Sequence, residues 1–354
     1  MKEGNVNRTL RKTLQITAVF VVTVAVFAAG AVAYLAYPGR PSHSQFMEFE
    51  GYIELPRNST LNVLDYLTLH DHTLFVTSES SGALFKVALD PLHVSSSTVS
   101  QMPGGGSTHG VVILPGGNIG FITRSDENTV DAFDPQSLQV LGRIPVADDA
   151  DAITYDASHK LLYVANGDAK LATLIDPEKR LTVATIPLEG KPEFAAIDGK
   201  TGLLYQNVAD VNLLAAVDLN TRSVLERWSL APCEGPSGMA IDTEERRLFA
   251  VCARNAMLVV FDLDAHRVLT SLKIGGGPDT VALDQNLHRI YATGRAGRVT
   301  VIEQNGLDNY RVLDEIRTHY GAHTLAVDPV SHRLFVGYAS LLTHPRIAVF
   351  SPVS

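Results

Sequence analysis

Seven residues spaced almost evenly along the chain carry groups that could act together on a ligand. They are Asp65, His109, Asp151, Glu193, Ser237, Asp279 and His323, separated by 44, 42, 42, 44, 42 and 44 residues. Three aspartates, one glutamate, two histidines and one serine make a mixed oxygen and nitrogen set. If they converge, such a set can hold a divalent cation, with the carboxylates favouring a hard ion. Asp151, Glu193, Asp279, His109 and His323 are the metal-ligating candidates. Crowded carboxylates also raise one another's pKa, which suits a general base. Asp148 and Asp149 add negative charge beside Asp151. Convergence depends on the elements that carry these residues.

Those elements repeat. "LFVTS", "GFITR", "LYVAN", "LYQNV", "LFAVC", "IYATG" and "LFVGY" place an aromatic at Phe75, Phe121, Tyr163, Tyr205, Phe249, Tyr291 and Phe335. The spacings are 46, 42, 42, 44, 42 and 44. Seven strand-rich copies at that period predict a β-propeller rather than a helical solenoid. Each copy reads as a first strand, a polar turn, the aromatic strand, a third strand and a fourth. The third strands end near Asp90, Asp134, Asp176, Asp218, Asp262 and Glu303, read as turn-forming acids that bond the backbone ahead of them. The last copy lacks its fourth strand, and "FEGYIELP" (Phe49 to Pro56) supplies the same alternation at the other end. The expected fold is therefore all-β, a seven-bladed propeller of four-stranded blades over residues 47–354. The N-terminal strand completes the last blade and removes the open edge. In such a fold the first strand of each blade lines the central channel, so the seven residues should form one ring at one mouth. A channel mouth must be polar in any case; that alone does not explain ionisable groups in six of seven copies.

The chain resembles the YVTN-repeat, YncE-like seven-bladed propellers. Tyr163-Val164-Ala165-Asn166 carries the motif, and Phe75-Val76-Thr77-Ser78 a looser form of it. "GKPEFAAIDGKTGLLYQNV" and "APCEGPSGMAID" are similar to passages of that family. The resemblance implies the fold. It implies little about function, because such propellers include surface proteins and nucleic-acid binders.

Ahead of the repeats, residues 1–13 carry Lys2, Arg8, Arg11 and Lys12, and residues 14–37 are uncharged. The run is long enough to cross a bilayer of about 30 Å as one helix. Its basic flank would stay in the cytoplasm, placing the propeller in the periplasm or outside the cell. The reading is an inner-membrane signal-anchor. The alternative is a signal peptide cleaved near Ala33, after which the chain is secreted. Residues 38–46 read as a linker. Cys233 and Cys252 are the only cysteines and enter the same blade, so an oxidising compartment predicts a disulfide between them.

The net charge of -9 disfavours duplex nucleic acid, which needs a cationic surface. No G-x-S-x-G, H-E-x-x-H or C-x-x-C occurs. "GGGSTHG" (Gly104 to Gly110) reads as an inter-blade loop, since no helix follows it to complete an anion site. "HDH" (His70 to His72) reads as a solvated turn. Three functions stay open. The first is a non-catalytic propeller engaging an unknown protein or small-molecule ligand at the mouth. The second is a metal-assisted hydrolase of the lactonase or phosphoesterase kind using the ring. The third is a single-strand nucleic-acid binder in which Arg124, Arg254 and Arg295, assigned to loops after second strands, seed a basic patch.

Overall fold

The computed structural model describes residues 21, 23–33 and 39–353. Residues 23–33 are helical and exposed. Among the described residues no helix is long and apolar enough to cross a membrane. The tail 1–13 lies outside the described residues, and the span 14–37 falls only partly within them.

Seven four-stranded antiparallel sheets make up the rest. The third blade is typical, with strands Ala150–Asp156, Leu161–Asn166, Leu171–Asp176 and Leu181–Pro187 in that spatial order. The seven first strands are Leu64–His70, Thr108–Ile113, Ala150–Asp156, Pro192–Ile197, Pro236–Asp242, Pro278–Asp284 and Thr324–Val327. Each packs on the next, and the seventh packs on the first, which closes the ring.

The closing strand is Met47–Glu54, two residues earlier than the alternation places it. It pairs antiparallel with Arg346–Pro352, from Met47 opposite Pro352 to Glu54 opposite Arg346. A short second clasp pairs Leu61–Asn62 with Ser340–Leu341. Two ion pairs cross the same seam, Arg333 with Glu50 at 2.9 Å and Arg346 with Glu54 at 2.8 Å.

The repeated aromatics are the packing units between blades. Phe75, Phe121, Tyr163, Tyr205, Phe249, Tyr291 and Phe335 are all at most 2% exposed. A fully buried ring of this size stabilises by about 3 kcal/mol relative to an exposed one, so a blade stack holds together without helices. The acids ending third strands act as the turn chemistry requires. Asp90 accepts from the amides of Leu92 and His93, Asp134 from Gln136 and Ser137, and Asp262 from Asp264 and Ala265. Asp176 and Asp218 do the same with Lys179 and Asn220. Glu303 differs: its longer side chain reaches Arg311 at 3.0 Å instead.

Cys233 and Cys252 form a disulfide with Cα atoms 5.2 Å apart. Cys252 lies opposite Pro236, one residue before the Ser237 or Gly238 that simple pairing suggests, because the first strand bulges there. Closing about 20 residues, the bond contributes roughly 3 kcal/mol.

Candidate site at the channel mouth

Six of the ring residues sit where a first strand departs from regular pairing, and His323 directly precedes the seventh first strand, Thr324–Val327. Register shifts fall between Leu64 and Leu67, Thr108 and Val111, Ala150 and Ile153, Pro192 and Ala195, Pro236 and Met239, and Pro278 and Thr280. A bulge re-aims side chains and frees backbone groups from the ladder. Polar side chains of second strands take up those groups. Thr77 Oγ1 accepts from the Tyr66 amide at 2.9 Å, and Thr123 Oγ1 donates to the Asp151 carbonyl at 2.7 Å. Gln206 Nε2 donates to the carbonyls of Glu193 and Phe194, at 3.0 and 3.2 Å. Asn207 donates to Ser237 O at 2.7 Å, and Thr293 to His323 O at 2.8 Å. The backbone under the mouth is therefore held by side chains, not by the sheet alone.

Asp65, His109, Asp151, Glu193, Ser237 and Asp279 line one cavity of about 360 Å³. His323 stands behind them, 2% exposed, with its ring turned toward Asp65 and Asp279. Ser237 departs from the others, since its hydroxyl is spent on the Pro278 carbonyl at 3.3 Å. Going round the ring, blades six, seven, one, two and three present acid, imidazole, acid, imidazole, acid. His109 Nδ1 lies 2.6 Å from Asp65 Oδ2 and 3.7 Å from Asp151 Oδ1. His109 Nε2 meets the hydroxyls of Ser107 and Ser125, each at 3.0 Å. His323 Nε2 lies 4.0 Å from Asp65 Oδ1 and 3.9 Å from Asp279 Oδ2. Asp65, His109 and Asp151 place one donor atom each within 4.8 Å of one another.

The periodic reading of ring positions did not single out the floor of this cavity. Tyr66 and Phe194 stack with centroids 6.0 Å apart and planes 9° from parallel. They come from blades one and four, so the contact crosses the channel. Each directly follows a ring residue, and the same position in the second and fifth blades is Gly110 and Gly238. A Cβ on Gly110 would sit 2.8 Å from Asp151 O, and one on Gly238 2.4 Å from Asp279 O. Neighbouring first strands approach too closely there for any side chain, which leaves the aromatic pair as the plug. That signal lies in the sequence one position beyond the ring.

Glu79 and Arg295 also line the mouth. Arg295 holds Asp279 at 3.2 Å and Lys191 holds Asp149 at 3.5 Å. Of the three arginines offered for a basic patch, Arg254 is exposed, Arg295 lines the mouth and Arg124 is withdrawn into the core. Arg124 ends the strand Gly120–Arg124 rather than lying in a loop, is 4% exposed, and is bound to the buried Asp131. Its cation neutralises a core acid. Gly104 to Ser107 bridges two blades as expected, Thr108 to Gly110 already belong to the next first strand, and His70 closes a strand before a turn at Asp71.

Electrostatics in the cavity follow from burial and crowding. Burial pushes the Glu193 carboxyl up; Lys191 opposes this, and Asp279, Asp149 and Asp65 reinforce it, leaving the group at about 7. Burial likewise lifts Asp151 well above the usual carboxylate range, against the pull of His109. For His109 burial opposes the charge, but the bond to Asp65 and the field of Asp65 and Asp151 raise it to about 9. Each of these groups holds its proton more tightly in the folded chain than in the unfolded one. Stability is thus greatest below the unfolded values and is lost as pH rises through the folded ones. In chelator-containing buffer the melting temperature should fall from about pH 4.5 to 7 for Glu193, then from about 6.5 to 9 for His109. Each limb is worth at most roughly 3 kcal/mol, less what solvent screening removes. Glu193→Gln should flatten the lower limb and His109→Gln the upper; a wild-type profile flat over the whole range would show the mouth to be bathed in bulk water.

The fold and this site define the chain as a seven-bladed β-propeller with an acid- and histidine-rich channel mouth. No protein-family model matches it, and no curated protein matches it in sequence. Solved structures do. Hydrazine synthase from Kuenenia stuttgartiensis is similar at TM-score 0.69 and 15% identity, covering 81% of this chain and 96% of that one. Virginiamycin B lyase from Staphylococcus aureus, in selenomethionine-substituted form, is similar at TM-score 0.70 and 11% identity, covering 87% and 100%. At these identities the likeness is one of fold.

Proposed function

We propose that the protein is an exported, membrane-anchored binding propeller whose channel mouth receives a cationic ligand. The observation that carries this reading is the convergence of Asp65, Asp151, Glu193 and Asp279 on one cavity floored by Tyr66 and Phe194. Carboxylates in a partly dry pocket recognise an ammonium or guanidinium group by charge-assisted hydrogen bonds. The aromatic faces add attraction for the same charge. The ligand is a small organic cation or a basic side chain presented by a partner protein. A screen of amines and basic peptides against the propeller tests this, with the ring variant treated in the Discussion as its control.

Export and anchoring rest on the basic residues before the uncharged run 14–37 and on the disulfide, which suits an oxidising compartment. Protease added to spheroplasts should digest the propeller; protection there would reverse the orientation. A second reading, a metal-assisted hydrolase, draws on Glu193, whose carboxyl at about 7 is poised as a general base. Turnover of lactones or phosphodiesters that is lost in Glu193→Gln would favour it.

A further inference from the structure

One of the two histidines of the mouth turns a buried nitrogen without a hydrogen-bond partner on two carboxylates, and this points to a ligand. Nδ1 of His323 lies 3.0 Å from the Gly321 carbonyl, which can only accept, so Nδ1 carries the hydrogen. Nε2 then presents its lone pair. That atom is buried and has no hydrogen-bond partner. Facing it are two carboxylate oxygens, at 4.0 and 3.9 Å, on Asp65 and Asp279. A bare lone pair turned on two anions in a buried setting is unfavourable unless a cation lies between them. A proton on Nε2 would serve only by drawing a carboxylate to hydrogen-bond distance, about 2.7–2.9 Å for charged partners, and neither is there.

His109 stands on the other side of Asp65 and is already hydrogen-bonded to it, Nδ1 lying 2.6 Å from Oδ2, so a metal there takes the place of the Nδ1 proton. Nε2 of His109 is anchored outward on Ser107 and Ser125. Each imidazole thus has one nitrogen tied to a fixed partner and the other directed at one shared carboxylate. Metal-binding histidines show the same division, the outer N–H fixing the tautomer and the ring angle. Donors sharing one ion at about 2.1 Å lie about 3–4 Å apart; Asp65, His109 and Asp151 place one donor each within 4.8 Å of one another, and His323 Nε2 lies 4.0 Å from Asp65 Oδ1.

We propose that the mouth binds one divalent transition-metal ion, held by Asp65, His109 Nδ1 and Asp151, whose donors converge within 4.8 Å, with His323 Nε2 completing the set from 4.0 Å off Asp65. Two imidazoles select zinc, manganese, cobalt or iron(II) over calcium and magnesium, which prefer oxygen alone. The ion belongs to the side of the ring made by blades seven, one, two and three. Glu193 and the Tyr66–Phe194 pair stay open to the organic cation, so the site deepens the binding role proposed above and rests on the same mouth. Asp279 is engaged by Arg295 and serves as neighbour rather than ligand.

The test is calorimetry of the chelator-stripped full chain in detergent with Zn²⁺, Mn²⁺ and Ca²⁺, together with the absorption spectrum of the Co²⁺ form. One Zn²⁺ or Mn²⁺ per chain should bind, with Ca²⁺ about 100-fold weaker or absent. His323→Ala and His109→Ala should each weaken Zn²⁺ binding by at least about 100-fold and abolish the Co²⁺ spectrum, since losing even an outer-shell partner costs about 10–100-fold. His323→Gln, closer in shape, should do the same with an unchanged melting curve in chelator. Absence of stoichiometric transition-metal binding, or binding untouched in both alanine variants, overturns the site. Benzylamine titrated into chelator-treated protein separates the two readings: amine binding without metal overturns the metal site alone. Metal binding without amine binding upholds this site and sinks the cationic-ligand reading.

Discussion

Deleting residues 47–57 should abolish the cooperative fold of the propeller. The segment contributes the outermost strand of blade seven, in register from Met47–Pro352 to Glu54–Arg346. It also buries Met47, Ile53 and Leu55, which are 2%, 4% and 1% exposed. At about 2 kcal/mol each, those three side chains alone equal a large part of the roughly 5–15 kcal/mol that holds a domain together. The ion pairs to Arg333 and Arg346 go with them, and the strand Arg346–Pro352 becomes an open edge prone to pairing with other chains. The expected result is a chain that aggregates, or melts more than about 10 °C lower. A circular permutant separates closure from mere loss of residues. Phe46 O accepts from the Val353 amide at 3.0 Å, so a short hairpin can join residue 354 to residue 47 with the new N-terminus at residue 58. That permutant should regain the wild-type melting curve. A truncated chain that melts like the intact one would show that the ring does not depend on this strand.

The second large effect is expected from Asp151→Asn, Glu193→Gln and Asp279→Asn combined. The amides keep the size of the side chains and remove three negative charges from one cavity. Each charged hydrogen bond to a bound cation is worth roughly 1.5–3 kcal/mol, so affinity for an amine ligand should drop by at least about 100-fold. Stability should move the other way. Burial and neighbouring acids disfavour ionised Glu193 and Asp151, and neutral amides are free of that strain above pH 7. The variant should therefore melt at or above the wild-type temperature at alkaline pH, although Arg295 loses its partner Asp279. A folded triple variant that still binds the amine at wild-type strength would reduce the ring to channel lining. One that fails to fold would show the carboxylates to be structural.

Much of this protein is legible in its sequence, for a physical reason. A propeller repeats one unit, so the interval between equivalent residues reports the blade directly. The aromatic of each second strand, the acid of each third-strand turn and the ring residue of each first strand recur because each copy solves the same packing problem. The missing fourth strand and its replacement near Phe49 follow from the same arithmetic, as does the closeness of Cys233 and Cys252 within one blade.

Period alone places a residue within its blade and says nothing of what stands opposite. Arg124 occupies a second-strand end much as Cys252 does and is buried like it, but it carries a charge there because the buried Asp131 lies beside it. Glu303 stands where five other copies have Asp, and its extra methylene takes it to Arg311 rather than to the turn amides. Tyr66 and Phe194 are 128 residues apart and meet only because blades one and four face each other across a channel narrowed by Gly110 and Gly238. Likewise the alternation of acid and imidazole from Asp279 to Asp151 becomes a set of contacts only once closure brings blade seven against blade one. The sequence by itself determined the blades, their order and the residues offered to the mouth. The tertiary structure decided which of them touch, because distances across a ring are set by the packing of separate sheets and not by spacing along the chain.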